Sequence, residues 1–91
     1  MLNTTLTGRI LTDNDLSGTE KVVLLYLADK SNGSKLDITF KTLEKELGMT
    51  RPTITRAINS LIENQLIKKE NNFHNGIIQA NTYEVNLFKY N

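Results

Sequence analysis

The stretch Leu47-Gly48-Met49-Thr50-Arg51-Pro52 constrains this chain more than any other. It lies between two apolar stripes at helical spacing. Before it, Phe40, Leu43 and Leu47 recur on one face and predict a short helix over 40–47. After it, Ile54, Ala57, Ile58 and Leu61 follow the spacing i, i+3, i+4, i+7 and predict a second helix over 51–64. Gly48 is placed to end the first helix, because glycine takes a left-handed backbone cheaply. Thr50 offers an N-cap hydroxyl, and Pro52 fits the first helical turn, where its missing N–H would be unpaired anyway. The second helix must then turn Pro52, Arg56, Asn59 and Glu63 outward, flanked by Arg51, Thr53, Thr55 and Ser60.

The flanking segments supply the rest of a domain. Ser17-Gly18-Thr19-Glu20 has the residues of a capping box, in which serine and glutamate each take the other's backbone N–H. A helix over 17–31 follows, with Val23, Leu24, Leu27 and Ala28 inward and Val22, Leu25 and Tyr26 beside them. Being apolar almost all round, it is expected to be the most buried helix. Lys35-Leu36-Asp37-Ile38 alternates as a short strand does, and Thr39 suits an N-cap. Residues 66–70 predict a strand and residues 71–76 a turn rich in asparagine with a glycine. Residues 77–87 return, with Tyr83, Val85 and Leu87 on one face. Residues 1–16 are expected to form an extended arm, packed on the domain or engaged in a dimer contact.

Ninety-one residues fit one domain with a small core. Without cysteine there is neither a disulfide frame nor a thiolate metal site, which suits a reducing cytoplasm. The longest apolar run, residues 22–28, falls far short of the roughly 20 residues that span a bilayer, and no signal peptide is visible. The chain is therefore expected to be cytoplasmic, with no membrane partner. Its net charge is only +1. Residues 1–48 carry six Lys/Arg against seven Asp/Glu, and residues 49–91 carry five against three, so the small excess falls beside the second helix.

Two helices about a glycine turn, followed by a hairpin, form the order of a winged helix-turn-helix. The fold expected is α+β, a three-helix core with a short strand and a C-terminal two-stranded wing. It divides into an arm over 1–16, helix 1 over 17–31, the helix-turn-helix over 39–64 and the wing over 66–87 of a single domain. At residue level the chain resembles the helix-turn-helix modules of bacterial, phage and plasmid replication and regulatory proteins. Asp15-Leu16-Ser17-Gly18-Thr19-Glu20 resembles their start to the first helix, and Leu43-Glu44-Lys45-Glu46-Leu47-Gly48-Met49-Thr50-Arg51-Pro52-Thr53-Ile54 resembles their turn. Leu61-Ile62-Glu63-Asn64-Gln65-Leu66-Ile67 resembles their exit into the wing, and Asn81-Thr82-Tyr83-Glu84-Val85 the closing strand. Gln65 departs from the family's usual glycine; either Gln65 strains into the left-handed position or Asn64 takes it.

The resemblance implies a second helix in the major groove of double-stranded DNA and a wing tip on neighbouring backbone or minor groove. The residue types suit that task. Arg56 can give two donors to guanine and Asn59 can pair with adenine. Thr53 and Thr55 can bond phosphate or meet a thymine methyl. Thr50, Arg51 and Pro52 open a helix whose free N–H groups suit a phosphate. Lys41, Lys68, Lys69, Asn72 and His74 are the further candidates, although Lys68 and Lys69 point to opposite strand faces, so at most one of the two serves. Phe73 at the turn could fold back, enter a minor groove or meet a partner. The plain alternative is an ordinary solvated face, which the low net charge favours, since phosphate neutralisation supplies much of the affinity for DNA.

One histidine, no cysteine, no phosphate-cradling glycine loop and no metal-spaced carboxylates give no catalytic constellation. The sequence points away from an enzyme, a cofactor or a small-molecule ligand. It points to a small transcriptional regulator acting as a homodimer, with a replication or partition protein's DNA-binding domain as the near alternative and a protein-interaction module as the distant one. Residues 1–16, the first helix or Phe88-Lys89-Tyr90 would supply the dimer surface.

Overall fold

Local signals build most of the elements. The computed structural model describes residues 4–32, 34–74 and 77–90. The first described element is helix α1, Thr4–Leu11, in place of the expected extended arm. Leu6 and Ile10 are four apart, a helical spacing; Ile10 is fully buried and Leu6 packs against the core. Helix α2, Gly18–Ser31, carries the complete capping box. The Glu20 N–H donates to Ser17 Oγ at 3.2 Å, and the Ser17 N–H donates to Glu20 Oε1 at 3.3 Å. Asn32, at φ 51°, closes the helix in the left-handed region. Val23, Leu24, Leu27 and Ala28 are buried, whereas Val22 is exposed and Leu25 and Tyr26 are half-buried. The helix thus has one broad inner face, and not the all-round burial that its composition suggests.

Strand β1, Lys35–Ile38, leads into helix α3, Phe40–Leu47, whose N-cap Thr39 accepts the Thr42 N–H at 3.1 Å. Gly48, at φ 64°, donates its N–H to the Glu44 carbonyl at 2.9 Å and ends the helix as expected. Helix α4, Arg51–Glu63, follows after Met49 and Thr50. Thr50 holds the N-cap position, but its hydroxyl caps no backbone N–H and instead meets Thr53 Oγ1 at 3.0 Å. At the far end of α4 the Leu66 N–H reaches the Leu61 carbonyl and the Gln65 N–H the Ile62 carbonyl, both at 2.9 Å. This is the Schellman arrangement, and its left-handed position falls on Gln65 at φ 62°; Asn64, at φ −81°, does not take it.

Strands β2, Ile67–His74, and β3, Ile77–Val85, form the wing. The first strand runs past residue 70: Asn71, Asn72, Phe73 and His74 pair with Asn81, Ala80, Ile78 and Ile77, with one irregularity between Asn72 and Phe73. Cross-strand pairing satisfies backbone groups that a six-residue turn would leave to water, which outweighs the turn preference of the asparagines. Asn75 and Gly76, the rest of the expected turn, lie outside the described residues. β3 also pairs antiparallel with β1, from Lys35 with Glu84 to Ile38 with Asn81, so the sheet order is β1-β3-β2. The core fills the space between this sheet and α2, α3 and α4, with Leu24, Leu43, Ile54, Leu61 and Tyr83 fully buried. A 3₁₀ turn, Phe88–Tyr90, brings Tyr90 back against α1. Tyr90 is buried within its own chain and is therefore not available to a partner, while Phe88 is exposed. The arrangement is an α+β winged helix-turn-helix.

Candidate nucleic-acid interface

α4 is anchored by four residues and open on the rest of its surface. Ile54, Ala57, Ile58 and Leu61 are buried. Arg51, Pro52, Arg56, Asn59 and Glu63 are exposed, and Thr53, Thr55 and Ser60 are half-buried. Rotation of the helix about its axis is fixed by this stripe and by one polar tie. The Ser60 hydroxyl donates to Glu20 Oε2 at 2.8 Å, using the carboxylate oxygen that the capping box leaves over. Burial pushes the Glu20 carboxyl up, but the hydrogen bonds from Ser60 and Ser17 outweigh it and hold the group below its ordinary value. Ser60 is thus turned inward and does not belong to the outward set. On this side Thr53 and Arg56 border a cleft of about 220 Å³ with Ser17, Thr19 and Glu20 at the start of α2.

The other side of α4 meets the wing. The Arg51 guanidinium stands 4.8 Å from the centroid of the Phe40 ring, and Lys69 Nζ stands 5.0 Å from the same point. Glu44 Oε1 lies 3.7 Å from Arg51 Nε. Phe40, expected to be core, is half-buried and has two cations from different elements within about 5 Å of its ring centroid. Thr50 is exposed beside this group, at the start of a helix with no side-chain cap.

The remaining candidates divide. Lys41 is exposed on the first turn of α3. Lys68 is exposed on the opposite sheet face from Lys69, beside Lys35, Thr82 and Glu84. It is therefore not brought to the α4 side. Asn72 and His74 lie in β2 by backbone pairing; their side chains are outside the described residues. Sequence reasoning missed Phe40 and Glu44 as parts of this surface. Glu44 has a readable signal in its i, i+4 relation to Phe40, whereas the approach of Lys69 depends on strand packing far along the chain.

Among the described residues no group of three or more histidine, cysteine or acidic side chains could hold a metal ion, and no helix is long and apolar enough to cross a membrane. No curated protein matches the chain. A family model described as a helix-turn-helix domain matches residues 14–67, from just before α2 to the first residue of β2. That span contains the capped α2, the glycine turn and α4, an architecture that suggests DNA binding. With more than half its length matched and each element of the motif in place, the chain belongs to the helix-turn-helix domain family.

Proposed function

We propose that this chain is a single-domain, sequence-specific reader of double-stranded DNA, with α4 in the major groove and the β2–β3 wing along the neighbouring backbone. The observation that carries this is the outer face of α4: Arg51, Arg56 and Asn59 are exposed on a helix whose other side is locked in the core. Arg56 suits the two acceptors of guanine and Asn59 the donor–acceptor pair of adenine. Arg51, Thr50, Thr53 and Thr55 suit phosphates and groove edges, as do Lys41 and Lys69. Asn72 and His74 are secondary candidates along the wing, and Lys68, on the far sheet face, stands only as the alternative to Lys69. We assign the chain the role of a small transcriptional regulator of a bacterium or mobile element, working as a homodimer. A two-fold pair sets two recognition helices about 34 Å apart on a palindrome, and a single short module seldom reaches useful affinity alone.

The test is fluorescence anisotropy on duplexes tiled from the DNA flanking the chain's own gene, at two salt concentrations. One tile bound tightly, with an affinity that falls steeply with salt, supports the assignment. Repeated sites within that tile move the role to replication or partition. On the bound tile, Arg56→Ala should cost roughly 1–3 kcal/mol and relax base preference at one position. No binding to any tile at low salt would sink the DNA-reading proposal and favour a protein-interaction module.

A further inference from the structure

Two cations are drawn onto one aromatic ring at the junction of α4 and the wing. Arg51 comes from the first turn of α4, Lys69 from β2, and both stand within about 5 Å of the Phe40 centroid. Their separation is at most the sum of those two distances, about 10 Å. A crevice of about 410 Å³ opens here, lined by Thr39, Phe40, Arg51, Lys69, Asn71 and Asn81. The acidic neighbours are few. Glu44 engages Arg51 through Nε, which leaves the two terminal amino groups of the guanidinium for another acceptor. Glu70, next to Lys69 in sequence, lies on the opposite sheet face with Lys68 and Glu84. Two positive charges beside one partly exposed carboxylate leave the crevice electropositive.

We infer that this crevice seats one phosphate of the DNA backbone, held jointly by Arg51 and Lys69 over the Phe40 floor. The chemistry fits a phosphodiester: its two unesterified oxygens suit the forked guanidinium, and the ammonium adds a point charge. Phe40 acts as a positioning residue. By holding two long, flexible cations over its ring it lowers the entropy lost when both close on the same anion. The consequence is mechanical. A phosphate shared by α4 and β2 ties the recognition helix to the wing, so both are set against the duplex by a single contact. This inference rests on the DNA-binding proposal above.

The test uses the full chain and a duplex selected by it from a random pool. Affinity is measured across a salt series for wild type, Arg51→Gln, Lys69→Gln and the double variant. A seat for one phosphate predicts that the salt slope of the double variant falls by about 0.9, with each single variant falling by less. Two separate phosphates would give a fall of about 1.8 and overturn the inference. A scan with single neutral methylphosphonates should find one position whose loss of affinity disappears in the double variant; no such position also overturns it. Phe40→Leu should weaken wild type roughly fivefold and leave the double variant unchanged, with a thermal melt to confirm folding. Phe40→Tyr, which keeps the ring, should bind as wild type, and serves if the leucine variant unfolds. Inorganic phosphate that shifts the Arg51 Nε–H resonance, with no methylphosphonate-sensitive position, would mean a free-anion site and count against the inference. Failure of the wild type to select any duplex sinks the DNA-binding proposal itself, whereas selection followed by additive slopes sinks only the shared seat.

Discussion

Asp13→Asn should destabilise the chain at neutral pH and lose that effect in acid. Asp13 lies just after α1 with its side chain only 9% exposed. Its Oδ2 accepts the Tyr90 hydroxyl at 2.7 Å and pairs with Lys89 Nζ at 2.8 Å, and its Oδ1 accepts the Asp15 N–H at 2.9 Å. Arg9 completes the clasp by donating to the Tyr90 carbonyl at 2.6 Å. The hydrogen bonds from Lys89, Tyr90 and Asp15, in that order, outweigh burial and hold the Asp13 carboxyl down at about 2, against an ordinary 3.8. A carboxylate whose folded value lies below its unfolded value stabilises the fold above the unfolded value, and that stability is lost as pH falls through the folded one. The difference corresponds to an upper bound of about 2.5 kcal/mol at pH 7, and screening around half-exposed Lys89 reduces it to between about 1 and 2 kcal/mol. The assay is urea unfolding followed by circular dichroism. The variant's midpoint should fall at pH 7 with the slope unchanged. About half the deficit should remain at pH 3 and about a sixth at pH 2. Equal stability at pH 7, or a deficit that persists undiminished at pH 2, would refute the account of the clasp.

Three other outcomes follow from named contacts. Glu44→Gln frees Arg51 from its ion pair, so DNA affinity should rise about two- to fivefold at low salt and converge with wild type at high salt; an unchanged affinity at low salt would mean that the pair does not compete with DNA. Gln65→Gly relieves a left-handed side-chain-bearing residue at φ 62°, and should raise unfolding stability by roughly 0.5–1 kcal/mol in a denaturant titration. Ser60→Ala removes the tie between α4 and Glu20, and should cost about 1 kcal/mol of stability while the Glu20 carboxyl titrates higher by NMR; an unmoved Glu20 would remove the tie from the account.

What the sequence revealed was local. The Ser17–Glu20 capping box, the left-handed Gly48 and the buried stripe Ile54, Ala57, Ile58 and Leu61 each depend on residues within a turn or two of one another. Such patterns are written in spacing. α1 was hidden because Leu6 and Ile10 sit among threonines and a glycine, which weaken any helical preference. What holds it is tertiary: Ile10 is buried in the core, and Arg9 reaches Tyr90 across 81 positions of sequence. The same holds for the partner of β1 in β3 and for the meeting of Phe40 with Lys69. Thr50 failed differently. The N-cap position was readable, but its hydroxyl has a competing partner in Thr53, and the residue type alone does not decide between them.

Glu20 shows how local and long-range terms join in one side chain. One carboxylate oxygen closes the capping box that starts α2, and the other receives Ser60 from α4. The cap is an entropic advantage for Ser60: the carboxylate is already fixed by its own helix, so the second bond orders little that was free. The sequence signal for the first bond therefore carried, unseen, the acceptor for the second. A helix turns about 100° per residue, so a modest rotation of α4 would replace Arg56 and Asn59 with their neighbours on the outer face. Four buried apolar side chains resist that rotation by packing, and Ser60 on Glu20 resists it by a directed bond near the opposite end from Arg51. In the proposed complex, with the Phe40-backed cations at the start of α4 and the Glu20 tie towards its end, the recognition face is set at two points along its length before any base is met.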